Sequence, residues 1–195
     1  MSDEPPEQFY TEERWQNWLT RVEEEELDPE NEDSARLLLN LQDDAAIAIA
    51  KIVSAYEDDR LGEEEAVEEL NEVRDIVLTE VDFEDEEKAM LIDGVQTSLV
   101  PAFYSAEEFI AAGAAEEGTV DDFVRAAANA EAEEDLDAAL GYCVQAGTLI
   151  IDGAELDMAV VEEIEYGLVS EWINGLDSLQ SAMSDPEVVE EDEDD

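Results

Sequence analysis

The sequence contains no histidine, one cysteine and 8 lysine or arginine residues in a chain of 195 residues. Without histidine, the chain cannot assemble a Ser–His or Cys–His nucleophile pair, nor the Glu-x-x-His ligands of a di-iron helical bundle. A single cysteine excludes an intramolecular disulfide and, with histidine missing, the usual Cys/His zinc sites. The sequence therefore predicts no catalytic residue, no cofactor and no specific metal site.

Basic side chains are too scattered to form a nucleic-acid groove, which needs clustered lysine and arginine. No apolar run approaches the roughly 20 residues of a membrane span. Residues 1–6 lack the basic and apolar regions of a signal peptide. We therefore expect a cytoplasmic protein that binds neither nucleic acid directly nor a membrane.

Acidic residues dominate the composition, with 59 Asp or Glu and a formal net charge of −51. Repulsion between like charges opposes compaction, unless molar salt shortens the Debye length to about 3 Å. The acids are spread along every segment, which is typical of a halophilic protein that holds K⁺ and Mg²⁺ as diffuse counterions. The alternative is a polyanionic binder, either an acidic nucleic-acid mimic or a chaperone of basic proteins.

Apolar residues make up 45% of the chain and recur at steps of three and four, which indicates amphipathic helices. We predict an all-α, single-domain bundle of about six or seven helices. The domain covers residues 9–183, residues 1–8 are a flexible N-terminus, and residues 184–195 form a disordered acidic tail. The predicted helices lie near residues 11–26, 33–58, from 63 onward, 86–112, 119–131, 136–151 and 157–183.

Two local features leave alternatives open. Pro101 lies inside the fourth predicted helix, so that helix either kinks there or a new helix begins. Residues 57–68 resemble an EF-hand loop around Gly62, but Glu57 stands where Asp is normally needed and Leu61 takes a ligand position. We interpret this segment as a hairpin turn followed by an acidic first helical turn.

The last predicted helix carries a long apolar stripe that can pack inside the bundle or form a homodimer. Its candidate dimer residues are Ile164, Leu168, Trp172 and Leu176. Gly167 and Gly175 would let a second helix approach this one closely, and Gly141 and Gly147 would do the same on the preceding helix.

Several other side chains allow both a structural and a functional interpretation. The N-terminal aromatics Phe9, Tyr10, Trp15 and Trp18 are typical of a core, and they are also the best candidate for a partner-binding patch. Cys143 is expected to be a buried, inert thiol.

The helical arginines are expected to pair with carboxylates. Arg125 has Asp121 and Asp122 one turn away. Arg74 has no acid one turn away, so its partner must come from another helix.

Residues 6–19 (PEQFYTEERWQNWL) and 27–43 (LDPENEDSARLLLNLQD) resemble an uncharacterised family of haloarchaeal proteins with relatives in methanogens. The resemblance runs over most of the chain to about Met183. It implies a euryarchaeal, cytosolic origin and no particular activity, and no catalytic residue can be transferred from it.

The leading hypothesis is a non-enzymatic interaction or regulatory protein with an unknown protein partner, because a rich helical core occurs without assembled catalytic chemistry. The polyanionic binder is the second hypothesis. A carboxylate enzyme that uses Mg²⁺ is the third, since oxygen ligands alone can bind this ion.

Overall fold

The computed structural model describes residues 10–26 and 30–184, and within these ranges it contains helices and no strand. The all-α prediction is confirmed. The described residues form eight helices: α1 (Glu12–Glu24), α2 (Glu32–Glu57), α3 (Glu63–Val77), α4 (Glu86–Ala112), α5 (Val120–Ala132), α6 (Leu136–Ile151), α7 (Met158–Glu163) and α8 (Leu168–Ser184). The predicted flexible N-terminus and acidic tail lie almost entirely outside the described residues.

Polar side chains define where most helices begin. The side chains of Thr11, Asp85, Thr119 and Asp135 accept hydrogen bonds from backbone N–H groups of the first helical turn. Such caps satisfy N–H groups that have no partner inside the helix. Acids fill the first turns of these helices, where the helix dipole favours negative charge. The starting points are therefore determined locally by the sequence.

Helices α2, α4, α6 and α8 form the centre of the bundle. Helix α4 contacts α2, α3, α6 and α8, and α2 also packs against α3 and α8. The core consists mainly of aliphatic side chains, and Tyr10, Trp15, Phe103 and Trp172 are its buried aromatics. Its most deeply buried members include Leu41, Ile49, Leu99, Phe103, Ile173 and Leu176.

A buried polar network crosses the centre of the core. Gln42 of α2 donates through Nε2 to Ser178 Oγ at 2.8 Å and to the carbonyl of Asn174 at 3.1 Å, both on α8. Ser98 of α4 donates to Gln42 Oε1 at 2.9 Å. Because buried polar groups are costly when unpaired, this network favours one register of α2, α4 and α8.

The prediction of a single last helix over residues 157–183 is wrong. Helix α7 ends at Glu163, the backbone at Ile164 is extended, and α8 begins at Leu168. The reason is a tertiary cap: the Glu131 carboxylate of α5 accepts hydrogen bonds from the N–H of Leu168 at 2.8 Å and of Val169 at 3.2 Å. This break raises the number of helices above the predicted six or seven.

Helix α4 is continuous through Pro101, so no new helix begins there. The proline is buried, and its carbonyl oxygen accepts a hydrogen bond from Ser105 Oγ at 2.6 Å.

No helix in the described part of the chain, α4 included, is both long enough and apolar enough to cross a membrane.

Candidate functional site

The N-terminal aromatic residues pack mainly against the chain itself. Tyr10 and Trp15 are 7% and 2% exposed, and Trp18 is partly buried against the core. Phe9 lies outside the described residues. A partner-binding role for these four residues stays a prediction, and the three described rings offer a partner little surface.

Two of these aromatics surround a buried carboxylate, Asp44 of α2. Asp44 is 7% exposed and accepts hydrogen bonds from Arg14 Nε at 2.8 Å and from Trp18 Nε1 at 2.9 Å. Arg14 Nη2 binds its second oxygen, so the arginine–carboxylate contact is bidentate. Arg21 lies over the face of the Trp18 indole, with its guanidinium carbon 4.9 Å from the ring centroid. These contacts attach α1 to α2.

Tyr10 also belongs to this cluster, but its buried hydroxyl makes no hydrogen bond of normal geometry with any described residue. Burial, and second the nearby negative charge of Asp44, raise the pKa of Tyr10 far above its usual value. The phenol therefore stays neutral at physiological pH, and the contacts of the cluster join α1 to α2.

We expect Asp44→Asn to lower the free energy of unfolding by about 2 kcal/mol, because Arg14 loses its buried counter-charge. Urea titration in molar KCl, followed by circular dichroism, measures this change. Asp177→Asn is the matched control: it removes the same charge from an exposed position on α8 and should stay within about 0.5 kcal/mol of the parent. Equal effects of the two substitutions would contradict a specific role for Asp44.

The four candidate dimer residues lie mostly in the chain's own core. Leu176 is fully buried, Trp172 is 6% exposed, and Leu168 is partly buried, all on α8. Ile164 is also partly buried, but it lies between α7 and α8. A homodimer stays a prediction, and these side chains are already used in folding.

Two other sequence features have structural roles. Cys143 is buried as expected, and burial raises its pKa to about 12, with the Glu131 charge as the second cause.

In the loop that resembles an EF-hand, Gly62 precedes α3, and its N–H donates to Glu65 at 2.9 Å. This geometry is the predicted turn and acidic first turn. Within residues 10–26 and 30–184, no three His, Cys, Asp or Glu side chains form a group able to hold a metal ion.

An open groove lies between α4 and α6 and has a volume of about 500 Å³. Its apolar surface comes from Leu140 and Val144 of α6 and from Ala111 and the half-exposed ring of Tyr104 on α4. Its polar lining consists of Glu107, Glu108, Asp137 and Gln145. We call this feature the α4–α6 groove.

Two glycines of α6, Gly147 and Gly141, affect the shape of this groove in opposite ways. At Gly147 the two helices meet closely, because an added methyl group would overlap the Ser105 side chain of α4. Gly141 was expected to be a close-packing point, and this expectation is wrong: it is exposed, and nothing lies within 4 Å of an added methyl group. The helices therefore touch near Gly147 and leave open space near Gly141.

Arg74 of α3 lies beside the groove and confirms the expected pairing with another helix. Its Nη1 is 3.6 Å from Glu107 Oε2, and its guanidinium carbon is 5.7 Å from the centroid of the Tyr104 ring. Arg74 itself does not line the groove. The Tyr104–Glu107 pair thus already accommodates one guanidinium group.

A second groove of similar volume lies between α5 and the segment that joins α7 to α8. Two of its three carboxylates serve the fold, because Glu131 caps α8 and Glu163 pairs with Arg125 at 3.6 Å; the third is Glu165. Arg125 therefore pairs with α7 and not with the acids of its own first turn. Both grooves have an exposed tyrosine, since Tyr166 of the second one is 91% exposed. The Tyr104 ring, however, lies beside the apolar side chains of Leu140 and Val144, which makes the α4–α6 groove the stronger candidate site.

The sequence alone did not reveal this groove. Tyr104 follows the buried Phe103 on α4 and is 41% exposed, but it was not among the residues predicted to bind a partner. One signal was available: a glycine inside a helix costs about 1 kcal/mol relative to alanine. Gly141 bears that cost without a packing reason.

The fold and the groove define an all-helical bundle protein with an open, acidic and aromatic surface cleft. Residues 8–192 match the family described as an uncharacterised protein conserved in archaea (DUF2150), and the chain belongs to this family. The family expected from the N-terminal segments is thereby confirmed as archaeal. Neither a curated protein nor a solved structure matches the chain.

Proposed function

We propose that this protein is a non-enzymatic protein-interaction protein of a halophilic archaeal cytosol, and that a segment of its partner docks in the α4–α6 groove. The observation that supports this proposal is the half-exposed Tyr104 ring beside the apolar side chains of Leu140 and Val144. Tyrosine is enriched where proteins bind one another, because it offers a large apolar surface with a polar tip.

The shape of the groove favours a helix or an extended segment as its occupant. Its walls are α4, which has 27 residues, and α6, which has 16. The close contact of these two helices near Gly147 closes the groove at one end. Amphipathic helices commonly bind by placing apolar side chains into such a cleft between helices.

The chain's own charge argues against self-occupancy. Residues 185–195 contain no lysine or arginine, and a second copy would bring another net charge of −51 to a groove lined with carboxylates. A different protein is therefore the occupant that best fits the groove.

The test compares two tyrosines with similar exposure. Tyr104, at 41%, lines the groove, and Tyr142, at 39%, lies on α6 outside it. We expect Tyr104→Ala to reduce the capture of a specific partner from a lysate kept in molar KCl at least about tenfold, a loss of about 1.4 kcal/mol. Tyr142→Ala should leave capture unchanged, as quantified by mass spectrometry.

Gly141→Leu provides an independent test by filling the groove without removing a contact. It should block the same partner, while circular dichroism shows an intact fold. A partner that is retained by both groove variants would reject the α4–α6 groove as the docking site. Broad capture of basic proteins by every variant would favour the chaperone hypothesis instead.

A further inference from the structure

We propose that the segment bound in the α4–α6 groove belongs to a basic amphipathic helix, and that one of its lysine or arginine side chains binds between Glu108 and Asp137. This inference rests on the proposed function, and it adds the chemistry of the partner.

The carboxylates of the groove are unequally neutralised. Glu107 is paired with Arg74, whereas Glu108 of α4 and Asp137 of α6 pair with no lysine or arginine in the part of the chain that the structure describes. Both line the groove, one from each wall. A cation entering the groove therefore meets a negative charge on either side.

The resident arginine shows how these walls accept a cation. Arg74 lies against the Tyr104 ring and the Glu107 carboxylate together, which combines a cation–π contact with an ion pair. A partner side chain that enters from the groove has the same ring as one wall and Glu108 as the next acid on α4.

The remaining lining requires apolar groups from the same partner. Leu140, Val144 and Ala111 form a surface that gains from burying aliphatic side chains. In molar salt, attraction between separated charges is largely screened, so a partner held by charge alone would bind weakly. An amphipathic helix with one cationic edge meets both requirements.

The experiment uses two synthetic 16-residue helical peptides with the same leucine face and either lysine or glutamine on the polar edge. We expect the full-length protein in molar KCl to bind the lysine peptide about fivefold more tightly than the glutamine peptide, as measured by fluorescence anisotropy. Glu108→Gln with Asp137→Asn should abolish this preference and leave the fold intact.

The matched control is Glu162→Gln with Asp177→Asn, which removes two negative charges from exposed positions that do not line the groove. This variant should keep the fivefold preference. If both double variants lose it equally, the peptide responds to overall charge, and the inference is overturned. Failure of the lysine peptide to bind at all also overturns it.

The outcomes separate this inference from the proposed function. If Tyr104→Ala weakens both peptides equally and the parent does not distinguish them, the groove is a docking site and the cationic partner is wrong. If Tyr104→Ala and Gly141→Leu change neither peptide nor the captured partner, the docking site itself is wrong.

Discussion

On dilution from molar to millimolar KCl, the helical circular dichroism of this protein is expected to be lost. The chain carries a formal net charge of −51, with 59 acids and 8 basic residues. At about 1 M salt the Debye length is about 3 Å, and at 10 mM it is about 30 Å, which exceeds the spacing of neighbouring helices. Like charges on all helices then repel one another across the whole bundle.

Repulsion is expected to be strong on the outer face of α3, where Glu64, Glu68 and Glu72 are exposed and follow one another at steps of four. The pKa of the neighbouring Glu69 is raised, first by burial and then by the negative charges of Glu72 and Glu68. Changing these three exposed glutamates to glutamine should therefore lower the KCl concentration at the unfolding midpoint.

An unchanged spectrum between molar and millimolar KCl would contradict the screening explanation.

Substituting alanine for Gly175 is expected to lower the free energy of unfolding by about 3 kcal/mol, at the upper end of what overpacking a core usually costs. An added methyl group on this residue of α8 would overlap the carbonyl of Ser98 on α4. Because backbone atoms cannot rotate away, the two helices must separate. That separation also strains the hydrogen bonds that join Gln42 to Ser98 and to Ser178.

The same substitution at Gly141 should have the opposite sign. Nothing lies within 4 Å of an added methyl group there, so alanine brings its higher helix propensity without a clash. We expect Gly141→Ala to raise the free energy of unfolding by about 0.5–1 kcal/mol. Urea titrations of both variants in molar KCl measure the difference. A destabilised Gly141→Ala, or a neutral Gly175→Ala, would show that the helix contacts differ from those described.

The positions of most helices could be predicted from the sequence because their signals are local. The apolar steps, the acids of the first turns and caps such as Thr119 act within one or two helical turns. The predicted bounds of the fourth and sixth helices coincide with those of α4 and α6. The break before α8 was missed because its cause is Glu131, which lies 37 residues before Leu168 in the chain.

The candidate site depended on contacts between residues that are distant in sequence. Trp18 and Tyr104 have similar aromatic character, yet Trp18 donates a hydrogen bond to a buried carboxylate 26 residues away, while Tyr104 faces an open groove. Helical periodicity places both on a helix face and does not say what that face meets. The N-terminal aromatics stay a predicted partner-binding patch, and we propose the α4–α6 groove as a docking site because the packing of α4 against α6 leaves that face open.

The sequence by itself determined the acidic composition, the missing histidine chemistry, the all-helical class and the single cysteine, since composition and short-range periodicity are properties of the chain alone. The tertiary structure decided which helices are neighbours, where Asp44 and Glu131 find their partners, and where α4 and α6 separate. Apolar stripes on different helices are nearly interchangeable as packing surfaces. Their pairing is determined by close contacts such as Gly175 against Ser98 and by the buried hydrogen bonds of Gln42.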